Sequence, residues 1–155
     1  MVLAVAAILV VPEIETVFVK GRLVEEIHGA QMICLAARQA VLDAEQGGSK
    51  EIGYPADIGI RSQAAYLGLL VKNGYLKPKD LKAFHAEHFA IANVSKNDPP
   101  ETIFVISRSD DNPWNQGTPQ DRVIVHAAGD GASYRGSSRG DWGPLPPRTP
   151  AFLDP

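Results

Sequence analysis

Met1-Val-Leu-Ala-Val-Ala-Ala-Ile-Leu-Val-Val-Pro12 opens the chain as eleven uncharged apolar residues closed by a proline, and Glu13-Ile14-Glu15 follows at once. At a rise of about 1.5 Å per residue the run reaches only ~17 Å as a helix, roughly half the ~30 Å hydrocarbon core of a bilayer. It has neither the basic leading segment nor the small-residue cleavage site of a secretory signal peptide. Met1, Val2, Leu3, Val5, Ile8, Leu9, Val10, Val11 and Pro12 therefore read as an apolar stem that other protein or lipid has to cover.

Working outward, the spacing predicts one long helix from Val2 to Ala44. Apolar residues recur at Ile14, Val17, Phe18, Val24, Ile27, Ala30, Cys34, Ala37 and Val41, close to the three-and-four repeat of a single helical face. Glu25, Glu26, Arg38 and Asp43 fall largely off that face. Pro12 has no N–H to offer the carbonyl of residue 8 and its ring crowds it, so a kink is expected there. Gly21 and Gly29 each weaken the helix by up to ~1 kcal/mol relative to alanine, and Gly47-Gly48 supplies a stop. Such a helix would run ~60 Å, too long to lie wholly on one small domain. Its N-terminal half is expected to project into lipid or a partner.

The remainder divides into a head, residues 49–135, and a tail, residues 136–155, after the long-helix segment 1–48 with its apolar stem 1–12 and amphipathic half 13–46. Residues 49–60 are loop-like, punctuated by Gly53, Pro55 and Gly59. Ser62 is placed as the N-cap of a short helix carrying Ala65, Tyr66, Leu69 and Leu70, which Asn73-Gly74 ends. Pro78 opens a further helical turn. Strands are predicted at Phe89–Val94, Thr102–Ser107 and Arg122–His126 from their β-branched content, with Gly129-Asp130-Gly131 turning into Ala132–Arg135. The fold class is α+β: a long N-terminal helix packed on a small antiparallel β-meander, with Tyr66, Leu69, Phe84, Phe104 and Ile124 in the core. The tail carries five prolines in its last twelve residues. It reads as irregular and mobile, with Trp142, Phe152 and Leu153 as the side chains able to tie it down.

At 155 residues and a net charge of −3 the chain suits one domain, without a basic footprint for nucleic acid or an anionic membrane. Cys34 is the single cysteine and cannot form an intramolecular disulfide; among apolar helix positions it reads as a small packed hydrophobe.

Met1-Val2, Ala6-Ala7-Ile8-Leu9 and Val10-Val11-Pro12, followed by Lys20, Arg22 and a helical stretch to Glu45, make the chain resemble type IV pilin-like proteins, in particular type II secretion pseudopilins. A vaguer likeness lies in Tyr54-Pro55-Ala56-Asp57, Ile91-Ala92-Asn93-Val94 and Gly129-Asp130-Gly131. The resemblance implies a structural subunit that resides in the bacterial inner membrane and then joins a periplasmic or cell-surface filament, with copies of itself or related subunits as partners. The family's leader, cleavage-site glycine, methylated first residue and nearby glutamate would all precede Met1. Either the natural N-terminus lies upstream, or the chain is not a processed subunit of this kind.

The polar residues give no convergent catalytic set. His85, Glu87 and His88 form His-Ala-Glu-His, which is not the His-Glu-x-x-His zinc-protease pattern; a spacing of three could still put both imidazoles on one helix face, against the plainer reading of a solvated helix end. Gly129-Asp130-Gly131 lacks the third glycine and following helix of a phosphate loop, and so does the Gly-Ser-Ser-Arg-Gly at 136–140. Asp110, Asp111 and Asp121, with Asn112, cluster carboxylate and amide oxygens suited to calcium; the pilin-like resemblance implies such a site in this region, and the other reading is a solvated acidic turn. No organic cofactor and no small-molecule substrate are indicated.

Three functions compete. A filament subunit needs a charge-free apolar stem and no convergent polar site. A soluble oligomeric ligand- or partner-binding module would bury its first helix in the oligomer. A small enzyme would use His126, Asp121 and Asp130. The stem favours the first, which involves no bond chemistry.

Overall fold

A computed structural model describes residues 2–47, 52–83, 85–107, 121–129, 131–135 and 150–155, with the side chains of 2–20, 22, 23, 121, 122 and 131–135 excepted. The chain is α+β. One helix, α1 (Val2–Gly47), is followed by α2 (Pro55–Ile58), α3 (Gln63–Lys72), α4 (Pro78–Ala83), a 3-10 turn (Ala86–His88) and four strands. The strands are β1 (Phe89–Ile91), β2 (Ile103–Ser107), β3 (Asp121–His126) and β4 (Gly131–Arg135), antiparallel in the order β1-β2-β3-β4. This is the expected meander.

The helix continues through Pro12 without interruption and ends at Gly47, three residues beyond the expected Ala44. Its burial explains how it meets the sheet. Ala30, Ile33, Cys34, Ala36, Ala37 and Ala40 are buried. Four of these six are alanines, and side chains that short let the helix axis approach the sheet closely. It packs chiefly over β3, with β2 and β4 beside it. Val24 departs from the expected apolar stripe: it is 65% exposed. The reason is angular, since at 100° per residue position 24 lies nearly opposite the mean direction of the buried alanines.

β2 is buried along its whole length, Ile103 to Ser107. Its unalternating Ile-Phe-Val-Ile suits a central strand covered on both faces. The β2–β3 register shifts between Ile103 and Val105, so Phe104 is accommodated by a bulge. Tyr54 meets Phe104 edge to face, with centroids 5.5 Å apart. Tyr66 and Phe104 are fully buried as expected, whereas Leu69 and Ile124 are partly buried; Phe84 lies outside the described residues.

The segment read as loop, 49–60, contains the single turn α2, closed by Gly59 in the left-handed region at φ 72°. Ser62 caps α3 by accepting from the Ala65 N–H at 3.4 Å, and Gly74 takes φ 82° just beyond its end, both as expected. The end of the tail is tied to the head. The Asn93 N–H donates to Ala151 O, Leu153 N–H to Ile91 O and Asp154 N–H to Arg61 O at 2.7–2.8 Å, and Leu153 is buried. Residues 151–154 therefore cover the outer edge of β1, which would otherwise present open backbone groups. Of the expected anchors Leu153 serves, Phe152 is 36% exposed, and Trp142 lies outside the described residues.

Candidate functional site

Two features stand apart from the core: the outward face of α1 and a histidine-carboxylate cluster after α4. On α1, Val24, Leu35 and Leu42 are 65%, 54% and 49% exposed. They are spaced by eleven and seven residues, near whole numbers of helical turns, and so lie along one line. That line faces away from the buried alanines. Polar contacts along its flanks tie the helix to the head: Arg38 Nη1 donates to Ala128 O, Tyr75 Oη donates to Asp43 Oδ2 at 3.0 Å, and Lys96 pairs with Glu45 at 3.7 Å.

The cluster arises where α4 ends. His85 takes φ 50°, the one left-handed non-glycine residue among those described, and its N–H donates to Lys82 O at 3.3 Å. The His88 N–H then donates to His85 O at 2.8 Å, closing the 3-10 turn. This tight turn stands where the sequence reading placed a solvated helix end, and His85 and Glu87 in it are exposed. It stacks the two imidazoles with centroids 5.2 Å apart and puts His85 Nδ1 3.3 Å from Glu87 Oε1. One ligand atom from each of His85, Glu87 and His88 lies within 4.8 Å of the other two. A hydrogen bond with its own backbone N–H chiefly holds the Glu87 carboxyl below the ordinary range against partial desolvation, and the His85 ring adds to the effect.

The other candidates separate. Asp110 and Asp111 lie outside the described residues, as does Asp130; Asp121 begins β3, with its side chain also outside the description. Asp121 and His126 occupy opposite ends of β3, ~17 Å apart at the usual strand rise, so the strand does not bring these two together. Ser107 is buried and its Oγ accepts from the Val123 N–H at 3.0 Å, a structural role. The Cys34 thiol is buried and donates to His126 O at 3.4 Å, in keeping with packing.

Two of the stretches that carry the vaguer likeness meet. The Ala56 N–H donates to Val94 O at 3.1 Å, and Asp57 accepts from Ser95 Oγ at 2.7 Å and the Lys96 N–H at 2.9 Å. Nothing in the sequence spacing of Asp57 announced that it clasps a loop 38 residues away.

No helix is long and apolar enough to cross a membrane among the residues with described side chains. No protein-family model, curated protein or solved structure matches the chain.

Proposed function

We propose that the chain is a structural subunit of a pilus or pseudopilus filament of the type II secretion or type IV pilus kind. It self-assembles through its apolar N-terminal helix and catalyses no reaction. The observation that carries this reading is the continuity of α1 from the apolar stem into the head. A 46-residue helix is ~69 Å long, whereas the burial of its described side chains lies between Glu26 and Ala44. The head, ~100 residues, has a radius of gyration of only ~13 Å and cannot cover a rod of that length.

An apolar stem rigidly joined to a folded head is stabilised by lateral packing with its like. At ~25 cal/mol per Å², burying ~400 Å² of apolar surface per subunit contributes ~10 kcal/mol before ordering costs. Head-to-tail contacts that do not close into a ring give a filament. Val10, Val17 and Val24 recur every seven residues and continue the line of Leu35 and Leu42, which suits such packing. Residence in the bacterial inner membrane before assembly, a periplasmic or cell-surface filament, copies of itself or related subunits as partners, and processing with methylation upstream of Met1 rest on the resemblance.

Deleting Met1–Val11 is expected to leave the head folded and soluble while abolishing self-association or membrane retention. Sedimentation of the truncated and intact chains reads the difference. Equal sizes would overturn the filament reading, and a closed oligomer of fixed size from the intact chain would favour the soluble binding module.

A further inference from the structure

We propose that His85, Glu87 and His88 bind one divalent transition-metal ion of the zinc class. The inference does not depend on the filament reading. Three donors no more than 4.8 Å apart have a common point within roughly 2.8 Å of each, so small side-chain rotations bring all three to the ~2.0–2.2 Å of zinc–nitrogen and zinc–oxygen bonds. The observed 3.3 Å between His85 Nδ1 and Glu87 Oε1 is already close to the ligand–ligand edge of a tetrahedral zinc shell, ~3.4 Å for bonds of that length.

The backbone that carries the donors is held in place before any ion arrives. Gln63, buried at the start of α3, donates through Nε2 to Ala86 O at 3.5 Å and to Phe89 O at 2.9 Å, and accepts from the Ile91 N–H at 3.2 Å. Those contacts bracket the 3-10 turn, and Ala86 inside it is buried. The left-handed His85 is what folds its ring back over His88 rather than along the chain. Two imidazoles and a carboxylate favour zinc, nickel, copper or cobalt over calcium or magnesium, which want mostly oxygen. The donors His85 and Glu87 are 65% and 67% exposed, so an ion enters directly and keeps at least one position for water or an outside donor.

Zn²⁺ titration of the full chain by calorimetry tests this, with Co²⁺ absorption as the second readout. One saturable site per chain is expected, and bound Co²⁺ should show the intense visible bands of a tetrahedral ion. His88→Ala and Glu87→Gln should each weaken Zn²⁺ at least tenfold, as loss of a direct ligand should match or exceed loss of a supporting contact. The pair His85→Ala with His88→Ala should remove the site, while His28→Ala, on the exposed side of α1, should change nothing. Unchanged Zn²⁺ affinity in the double variant would overturn the proposal, as would no uptake by the parent. Metal-free melting of each variant should match the parent; where an alanine lowers it, the glutamine replacement at the same histidine gives the same decision on a stable background.

Discussion

The side-chain amide of Gln63 donates to the carbonyl of Phe89 at 2.9 Å inside the core, joining the first turn of α3 to the first residue of β1. The same side chain accepts from the Ile91 N–H at 3.2 Å, so a single buried glutamine substitutes for part of a strand partner along β1. From Ile91, the last residue of β1, the tail takes over that edge through Ile91 O and the Asn93 N–H. An edge strand only three residues long is thereby paired on both sides.

Replacing Gln63 by leucine keeps the volume roughly constant and removes these two bonds together with the longer one to Ala86 O at 3.5 Å. The Phe89 carbonyl and the Ile91 N–H are then left without that partner in an apolar setting, at a combined cost of about 3 kcal/mol. A lower urea midpoint with unchanged slope is the expected result. A midpoint equal to the parent's would mean that the amide contributes nothing there.

Tyr66 gives a pH prediction. Its ring is fully buried and its hydroxyl donates to Gly53 O at 3.1 Å. Desolvation, followed by the nearby Tyr54, Cys34 and Asp57, pushes its phenol well above the ordinary value of 10.0. Above pH 10 the unfolded chain releases this proton and the folded chain keeps it, so the native state binds more protons and stability falls as pH rises. The contribution is fully present below pH 10, and its loss above that approaches about 1.4 kcal/mol per pH unit. Tyr66→Phe should cost about 1 kcal/mol at neutral pH through the lost hydrogen bond and flatten the alkaline decline. Parallel alkaline profiles for parent and variant would refute the assignment. Tyr54, also raised mainly by burial, remains in both chains and cancels from the comparison.

Gly129 sits at φ 92° in the β3–β4 turn, where a Cβ would come within 2.9 Å of Arg38 Nη1. Arg38 reaches from α1 to the adjacent Ala128 carbonyl, so the turn is closed by the helix as well as by its own Gly129 N–H to His126 O bond. Gly129→Ala should therefore destabilise by about 1–2 kcal/mol from the left-handed backbone alone. In a background already carrying Arg38→Ala the penalty should shrink only to that backbone part. An alanine variant as stable as the parent would remove the strain argument.

The physical reach of the sequence differed from element to element. Ser62, Asn73-Gly74 and the strand runs were legible because capping, left-handed glycine and β-branching act over a few neighbours. Ile33 and Ala40 were not among the residues expected on the buried face, and Val24 was, since three-and-four spacing fixes a stripe only to within about a residue while the sheet selects which side is covered. The tail edge, the Asp57 clasp and the Gln63 bridge join residues far apart in sequence, and no local signal encodes such contacts. The histidine cluster was visible as composition, yet its geometry required His85 to adopt φ 50°, a conformation uncommon in any residue but glycine and one that no local sequence signal placed there.

Val24, Leu35 and Leu42 supply the last prediction, because they separate folding from assembly. All three are about half or more exposed and lie on the side of α1 away from the sheet. Their joint replacement by glutamine should leave the unfolding midpoint within about 0.5 kcal/mol of the parent, as for other surface changes. If neighbouring copies cover that line in a filament, the same change forfeits about 3 kcal/mol of apolar burial per contact. The association constant should then fall about a hundredfold, seen as a rise in the protein concentration at which large species first sediment. The Met1–Val11 deletion tests the stem, whereas this variant keeps the stem and tests only the continuation of its line along the head. An unaltered assembly threshold would confine the contact to the stem.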